Sequence, residues 1–475
     1  MNKSYERPNI LFIMSDDHAA QAISSYGSIL NQTPNIDRIG KEGIRHESCY
    51  CTNSLCAPSR AAILTGTHNH INGVTTLATE IDNREDNVAK QLKAGGYQTA
   101  LIGKWHLGDS SESRPTGFDD YKVFIGANGQ GEYFDPLFRV NGKEERVRGY
   151  ATDIVTDMTL DWLKNRDDSK PFFLMCHHKA PHRNFKPHPR HADLYEGDEL
   201  PEPENLYDRY DNRAKAAAAA RMRVGRDMNA GDLGVEEIPQ NLVGDERTRW
   251  CYQHYIKQYL RTLAAVDEGV GRLLDYLDEA GLAGNTMVVY TSDQGFFLGE
   301  HGWYDKRFMY EESLRMPMLV RYPKKIESGQ MCDEMVTNVD FAPTFLDYAG
   351  LPIPESMQGV SFRSLHEKKT PKDWQQSVYY RYWTNGTPHN VAAHYGIRTK
   401  RYKLIYYYAD SLGQTASDSA NPELREWELF DLDRDPGEMR NVYHDPSYSE
   451  TVRELEAELT SLQKRFGDSP PILEN

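Results

Sequence analysis

The chain has 475 residues, beyond the length at which one hydrophobic core usually stops growing, so a large domain with a smaller companion is expected. Its 71 acidic and 55 basic side chains leave a formal net charge of −16. That excludes the basic footprint nucleic acid needs, and any anionic substrate must be drawn in by a local basic pocket.

Six scattered cysteines (Cys49, Cys51, Cys56, Cys176, Cys251, Cys332) are too sparse for a disulfide scaffold and lack paired zinc spacing, so most are expected to be core thiols. Met1 to Pro8 is polar, without a charged-then-apolar leader, and no run is long enough to span a membrane. The expectation from the chain as written is cytoplasmic, or periplasmic or secreted if a leader precedes it.

Asn9 to Met14 is a short apolar run ending in Ser15-Asp16-Asp17-His18, which reads as a buried strand delivering polar residues at its C-terminal end. Thr33-Pro34 opens a helix closed by Gly43, and Asp86 to Ala94 forms another, closed by Gly95-Gly96. Tyr97 to Ile102 then leads into Gly103-Lys104-Trp105-His106. After an amphipathic segment from Thr152 to Asn165, Pro171 to Cys176 leads into His177 to Arg183.

Pro187 to Asp245 shows no strand period and reads as a helical or irregular insertion at the substrate entrance. Gln253 to Ala280 is a long amphipathic helix. Thr286 to Thr291 leads into Ser292-Asp293-Gln294-Gly295, and Met318 to Tyr322 ends at Pro323.

Strands alternating with helices predict an α/β fold: a large, mostly parallel sheet covered by helices, with its ligand site beyond the strand C-termini. The domain boundaries expected are 1–365 for the catalytic domain, with 187–245 inserted, and 366–475 for a C-terminal α+β subdomain. There Val378 to Trp383, Tyr402 to Tyr408 and Glu428 to Asp431 predict a short antiparallel sheet, and Ser449 to Phe466 a closing helix. The aromatic run Tyr379, Tyr380, Tyr382 and Trp383 reads either as sugar-stacking faces or as core of that sheet.

The segment from Cys56 to Gly66 is the most informative. Pro58 and Ser59 suit the opening turn of a helix, placing Cys56 at its N-terminus, where backbone N–H groups and the dipole favour negative charge. Arg60 projects from that turn. On the residues alone, Cys56 is a cysteine in an electropositive spot, a core thiol or an ordinary low-pKa thiol.

The segment resembles the signature of type I, formylglycine-dependent sulfatases of the alkaline phosphatase-like superfamily: a Cys, then x-Pro-Ser-Arg and, five residues on, Thr-Gly. Asp435 to Glu438 resembles the same family's C-terminal Asp-Pro-Gly-Glu signature, so the likeness spans almost the whole chain. It implies that a formylglycine-generating enzyme oxidises Cys56 to formylglycine, whose aldehyde hydrates to a gem-diol. It also implies that Asp16, Asp17, Cys56, Asp293 and Gln294 hold one divalent cation, Ca²⁺, with Gln294 departing from the Asn or His common in relatives. Converging carboxylate and amide oxygens suit such a hard cation.

The same resemblance gives roles to a cationic set. Arg60 and His106 support the formylglycine, Lys104 and Lys306 neutralise the sulfate, Asp293 is the base and His182 the acid for the departing alcohol. The basic stretch from His177 through Lys179, Lys186, His188, Arg190 and His191 reads as a device for steering a sulfated sugar, or else as a solvated loop. The expected activity is exo-hydrolysis of a sulfate ester on an oligosaccharide. Two rivals stand beside it: a phosphatase or phosphonate monoester hydrolase on the same fold, and a glycan binder whose cysteine is never oxidised.

Overall fold

The computed structural model describes residues 7–126 and 129–469. Its centre is a ten-stranded sheet in the order Gln330–Cys332, Ile44–His46, Met318–Arg321, Thr286–Ser292, Asn9–Ser15, Phe172–His177, Gln98–Gly103, Asp120–Phe124, Leu137–Val140 and Lys143–Arg146. From Thr286–Ser292 to Asp120–Phe124 the strands are parallel, with Phe12 opposite both Met175 and Val289. Ile10 to Met14 are all fully buried. Alternate side chains point to opposite faces, so both faces of the sheet are covered, which is why these strands read as unbroken apolar runs.

Helices supply the cover. Ala151–Asn165 packs on Gln98–Gly103 and Phe172–His177, and the 36-residue helix Gly244–Glu279 packs on Ala151–Asn165 and Pro34–Lys41. Phe341–Tyr348 presents Phe341 and Phe345 to the ring of Phe12, and also contacts the helix Cys56–Thr65. Thr33 makes no side-chain cap to Pro34–Lys41. Asp267 of the long helix does so instead, its Oδ1 accepting from the backbone N–H groups of Asn35 and Ile36 at 3.1 and 2.9 Å.

Two expectations need correction. Met318–Arg321 runs antiparallel to Thr286–Ser292 and so joins the sheet without bringing a loop to the site edge. The long helix starts at Gly244, nine residues before Gln253. Its first turns lack a full apolar stripe because they lie against the inserted segment rather than the sheet. That segment is built of short helices at Lys215–Ala219, Val224–Asp227 and Ala230–Leu233.

Near the C-terminus an antiparallel sheet, Ser377–Tyr382, His394–Thr399, Tyr402–Tyr407 and Glu426–Asp431, is closed by the helix Ser449–Phe466. His394–Thr399 was not among the predicted strands. Tyr379, Tyr380 and Tyr382 are buried, and Trp383 lies under the Arg381 guanidinium at 3.4 Å, so the aromatic run is core and not a set of sugar-stacking faces. All six cysteines are free and buried. No helix among the described residues is long and apolar enough to cross a membrane.

Candidate active site

Four neighbouring parallel strands end at one edge of the sheet and place their following residues together. Asp16 and Asp17 follow Asn9–Ser15, Lys104 and His106 follow Gln98–Gly103, His182 follows Phe172–His177, and Asp293 and Gln294 follow Thr286–Ser292. Such an edge is where open α/β sheets bind ligands. Gly103 makes the close approach possible: at φ +106°, a Cβ there would lie 1.9 Å from the His177 carbonyl oxygen, which accepts from the Lys104 N–H at 2.9 Å.

Cys56 opens the helix Cys56–Thr65 after Leu55, which is extended at ψ 144°, and Gly66 closes it at φ +68°. Every residue of this helix is buried. Pro58 falls in the first turn, where its missing N–H removes no intrahelical bond. Ser59 Oγ accepts from Asn338 Nδ2 at 2.8 Å, and the Pro58 carbonyl accepts from Asn69 Nδ2 at 2.8 Å, fixing the helix start from two sides.

The Cys56 thiol donates to Asp16 Oδ1 at 3.2 Å and accepts from Lys306 Nζ at 3.4 Å. Ligand atoms of Asp16, Asp17, Cys56 and Asp293 all lie within 4.8 Å of one another, and Asp16, Cys56 and His182 form a second such group. Lys104 Nζ donates to Asp16, and Lys306 Nζ donates to Asp17 Oδ1 and Oδ2 at 2.5 and 2.7 Å. Arg60 Nε donates to Asp293 Oδ2 at 3.0 Å, and its Nη1 to the Lys104 carbonyl at 2.9 Å. The other oxygen of Asp293 accepts from the Asp17 N–H at 3.2 Å. One arginine thus ties the cysteine helix to two strand ends.

Three buried carboxylates face three buried cations, and the balance is uneven. Burial would raise the Asp16 carboxyl, but Lys104, with His182, Arg60 and Lys306, holds it well below the usual range. Burial pushes Asp17 up to about 8 against the pull of Lys306, with Asp16 and Asp293 adding to the rise. Asp293 is raised by burial and then by Asp16. The Cys56 thiol is also raised, first by burial and then by Asp16, so it is no low-pKa thiolate.

A divalent cation fits this donor set. Three carboxylates crowd one point, and Gln294, whose Nε2 donates to Asp17, leaves its Oε1 buried with no hydrogen-bond partner among the described residues. Non-glycine residues at positive φ cluster here too: Asp17 at 66°, His106 at 54°, Asp305 at 76° and Arg307 at 99°. Strain of this kind concentrates at functional sites.

All ten predicted site residues lie in this one region. His182 Nδ1 is bonded to the Arg183 carbonyl, which leaves Nε2 facing Asp17 Oδ2 at 3.7 Å. Gln130 had no motif to announce it, yet its Oε1 accepts from Lys104 Nζ at 2.6 Å and its Nε2 lies 3.4 and 3.5 Å from Nε2 of His106 and His182. Asp305, beside Lys306, lies within ion-pair reach of Arg183 (3.6 Å) and His389 (3.3 Å). His389 sits in the other sheet's region, so no sequence spacing links it to the site. The basic stretch is mostly spoken for: Arg190 is paired with Asp153 and Glu268, and His177 and His178 are buried. Lys179, over the Tyr133 ring at 5.1 Å, and Arg183 are the basic groups it adds beside His182.

Comparison with known proteins agrees with this geometry. The family model described as Sulfatase matches residues 8–351, and one described as N-sulphoglucosamine sulphohydrolase, C-terminal, matches residues 299–465. An N-acetylglucosamine-6-O-sulfatase of Bacteroides thetaiotaomicron is 44% identical over 507 residues, covering 98% of this chain and 88% of its own length. A solved structure of a protein in complex with its substrate D-glucosamine-2-N,6-O-disulfate superposes with a TM-score of 0.92 at 43% identity, over 99% of this chain and 100% of that one. The phosphonate monoester hydrolase of Agrobacterium radiobacter, at 19% identity over 97% of this chain and 96% of its own, shares the fold with a TM-score of 0.75. A thiol at a helix start, ringed by three carboxylates and two ammonium groups in a chain matched across the Sulfatase model, places this protein in the sulfatase family of sulfuric ester hydrolases.

Proposed function

We propose that the chain removes the 6-O-sulfate of a glucosamine unit at the end of a sulfated oligosaccharide. The observation that carries this reading is the 44% identity, over nearly the whole chain, to an N-acetylglucosamine-6-O-sulfatase, on a site whose thiol, carboxylates and ammonium groups converge. Cys56 is the residue a formylglycine-generating enzyme would oxidise. Ca²⁺ is the cation proposed for Asp16, Asp17, Asp293, Gln294 and the modified residue 56. When bound and formed, these groups would supply an activated oxygen nucleophile and a positive charge facing the sulfate.

The chain's own residues do the rest. Lys104 and Lys306 flank residue 56 and hold the sulfate oxygens, neutralising charge that grows in the transition state. Arg60 fixes Asp293, the proposed base, against the cysteine helix. With Nδ1 bonded to the Arg183 carbonyl, His182 can pass a proton to the leaving sugar oxygen only through Nε2. His106 takes the proton whose loss frees sulfate, and Gln130 holds both imidazoles and Lys104 in register.

Arg183, Asp305 and His389 are proposed to bind the sugar ring. Asp305 and His389 are only 3% and 7% exposed and are ion-paired with each other, and we propose that with Arg183 they form the wall that exo-action requires. The test is a substrate panel: N-acetylglucosamine 6-sulfate, sulfated oligosaccharides, the parent polymer, and phosphate and phosphonate monoesters. Release of sulfate, faster from shortened chains than from polymer at equal sulfate concentration, is the expected result. Preferred turnover of phosphate or phosphonate esters would reject the reading.

A further inference from the structure

The inserted segment and the start of the long helix enclose an open cleft of about 350 Å³, lined by Arg209, Arg223, Arg226 and Arg247 together with Asp208 and Asp245. Four guanidinium groups face two carboxylates in a protein whose net charge is −16. Both carboxylates are engaged: Asp208 is 2.9 Å from Arg213 and 3.4 Å from His301, and Asp245 is 2.7 Å from Arg209. Arg226 is bound to Asp227 at 2.7 Å. Among the described residues, the guanidinium groups of Arg223 and Arg247 make no ion pair, and Asp227 is held by the Arg223 backbone N–H at 2.8 Å and by Arg226.

Both free guanidinium groups are held in place by other means. Arg223 lies over the Tyr210 ring at 4.4 Å, and Tyr210 stacks on the buried Trp303 at 5.4 Å with its hydroxyl donating to the His301 carbonyl at 2.6 Å. Its Nη2 donates to the Ala218 carbonyl at 3.0 Å, while its Nε is buried with no partner. Arg247 Nε donates to the Gly225 carbonyl at 2.7 Å, which leaves its terminal nitrogens to bond elsewhere. That leaves Nη1 of Arg223 and both terminal nitrogens of Arg247 as oriented donors without a carboxylate, the kind of group that binds oxyanions by charge-assisted hydrogen bonds.

The cleft also has a direct relation to the active site. Gly302 lines it, and Arg223 bridges to Trp303 through the backbone. Two residues on, Asp305 pairs with Arg183 and His389, and Lys306 reaches Cys56. One short ribbon therefore carries the cleft and the proposed sugar wall.

We infer that this cleft is a second anion site, which holds a sulfate group of a sulfated glycan at a distance from the sugar being hydrolysed. It rests on the sulfated-glycan reading above. A strongly acidic protein repels a sulfated chain at long range, and a local pair of arginines would offset that repulsion for chains long enough to reach it.

The test uses Arg223→Ala/Arg247→Ala and, because Arg223 packs on Tyr210, Arg247→Gln alone. The first readout is binding of a labelled heparin-derived octasaccharide, with inorganic sulfate as competitor, at low and high salt. The second is kcat/KM on N-acetylglucosamine 6-sulfate. Octasaccharide affinity should fall about tenfold in the double variant and less in the single one, an effect shrinking at high salt, with the monosaccharide value within about twofold. Unchanged octasaccharide affinity in both variants overturns the site, and so does a matching loss on the monosaccharide, which would mark the arginines as structural supports. A protein that binds the octasaccharide through these arginines yet hydrolyses no sugar sulfate would leave the cleft standing and reject the catalytic reading.

Discussion

Asp17 bears the strain of the site twice over, in a backbone at φ 66° and in a carboxyl pushed up to about 8 by burial and by Asp16 and Asp293, against the pull of Lys306. Below that pH the cation-free carboxyl carries a proton that a cation must displace. Calcium affinity, measured by titration calorimetry on unconverted protein, should therefore weaken as pH falls from 8 to 6, by up to about tenfold per pH unit for one displaced proton. A pH-independent affinity would show that no proton leaves Asp17 when the cation binds. His182→Ala should slow alkyl sulfates by about 10²–10⁴-fold and aryl sulfates far less, because a phenolate departs with little protonation. Equal losses would make His182 a sulfate-holding residue. At this scale the sequence was eloquent where residues adjoin in a motif, as in Cys56 to Arg60. It was silent for Gln130 and His389, which reach the site from loops that only the fold brings close.

At the scale of elements, strand ends and one helix start do the positioning, and their punctuation is carried by few residues. Gly103→Ala would put a side chain into a φ of +106° and onto the His177 carbonyl, at a cost of roughly 2–5 kcal/mol. Its melting temperature should drop well below that of the parent, and residual activity should fall with it because Lys104 and His106 follow directly. A parent-like melting curve would mean the strand end relaxes freely. The central strands were legible because burial on both faces makes them continuous apolar runs. Asp120–Phe124, Leu137–Val140 and Lys143–Arg146 were not, since they form the sheet's outer strands and are only partly buried, the last wholly exposed. Met318–Arg321 looks like a parallel strand in sequence because direction leaves no mark on composition; only the pairing reveals it.

For the whole molecule, a charge of −16 and a buried cationic site set how substrate arrives. The stretch from Lys186 to His191 suggested steering by composition alone, but Arg190 is locked between Asp153 and Glu268, so Arg190→Ala should leave KM unchanged within about twofold even at low salt. A marked rise in KM would return that stretch to the substrate path. Above all, the proposed chemistry runs at a modified Cys56, since the unmodified thiol is buried beside Asp16, with burial and Asp16 raising its pKa. The decisive measurement is peptide mass spectrometry of residues 51–66 alongside sulfate release, in preparations matured to different extents. Activity should rise in proportion to the fraction in which the CH₂–SH of Cys56 has become an aldehyde, and vanish as that fraction goes to zero. Full sulfate release from protein whose Cys56 remains entirely thiol would contradict it.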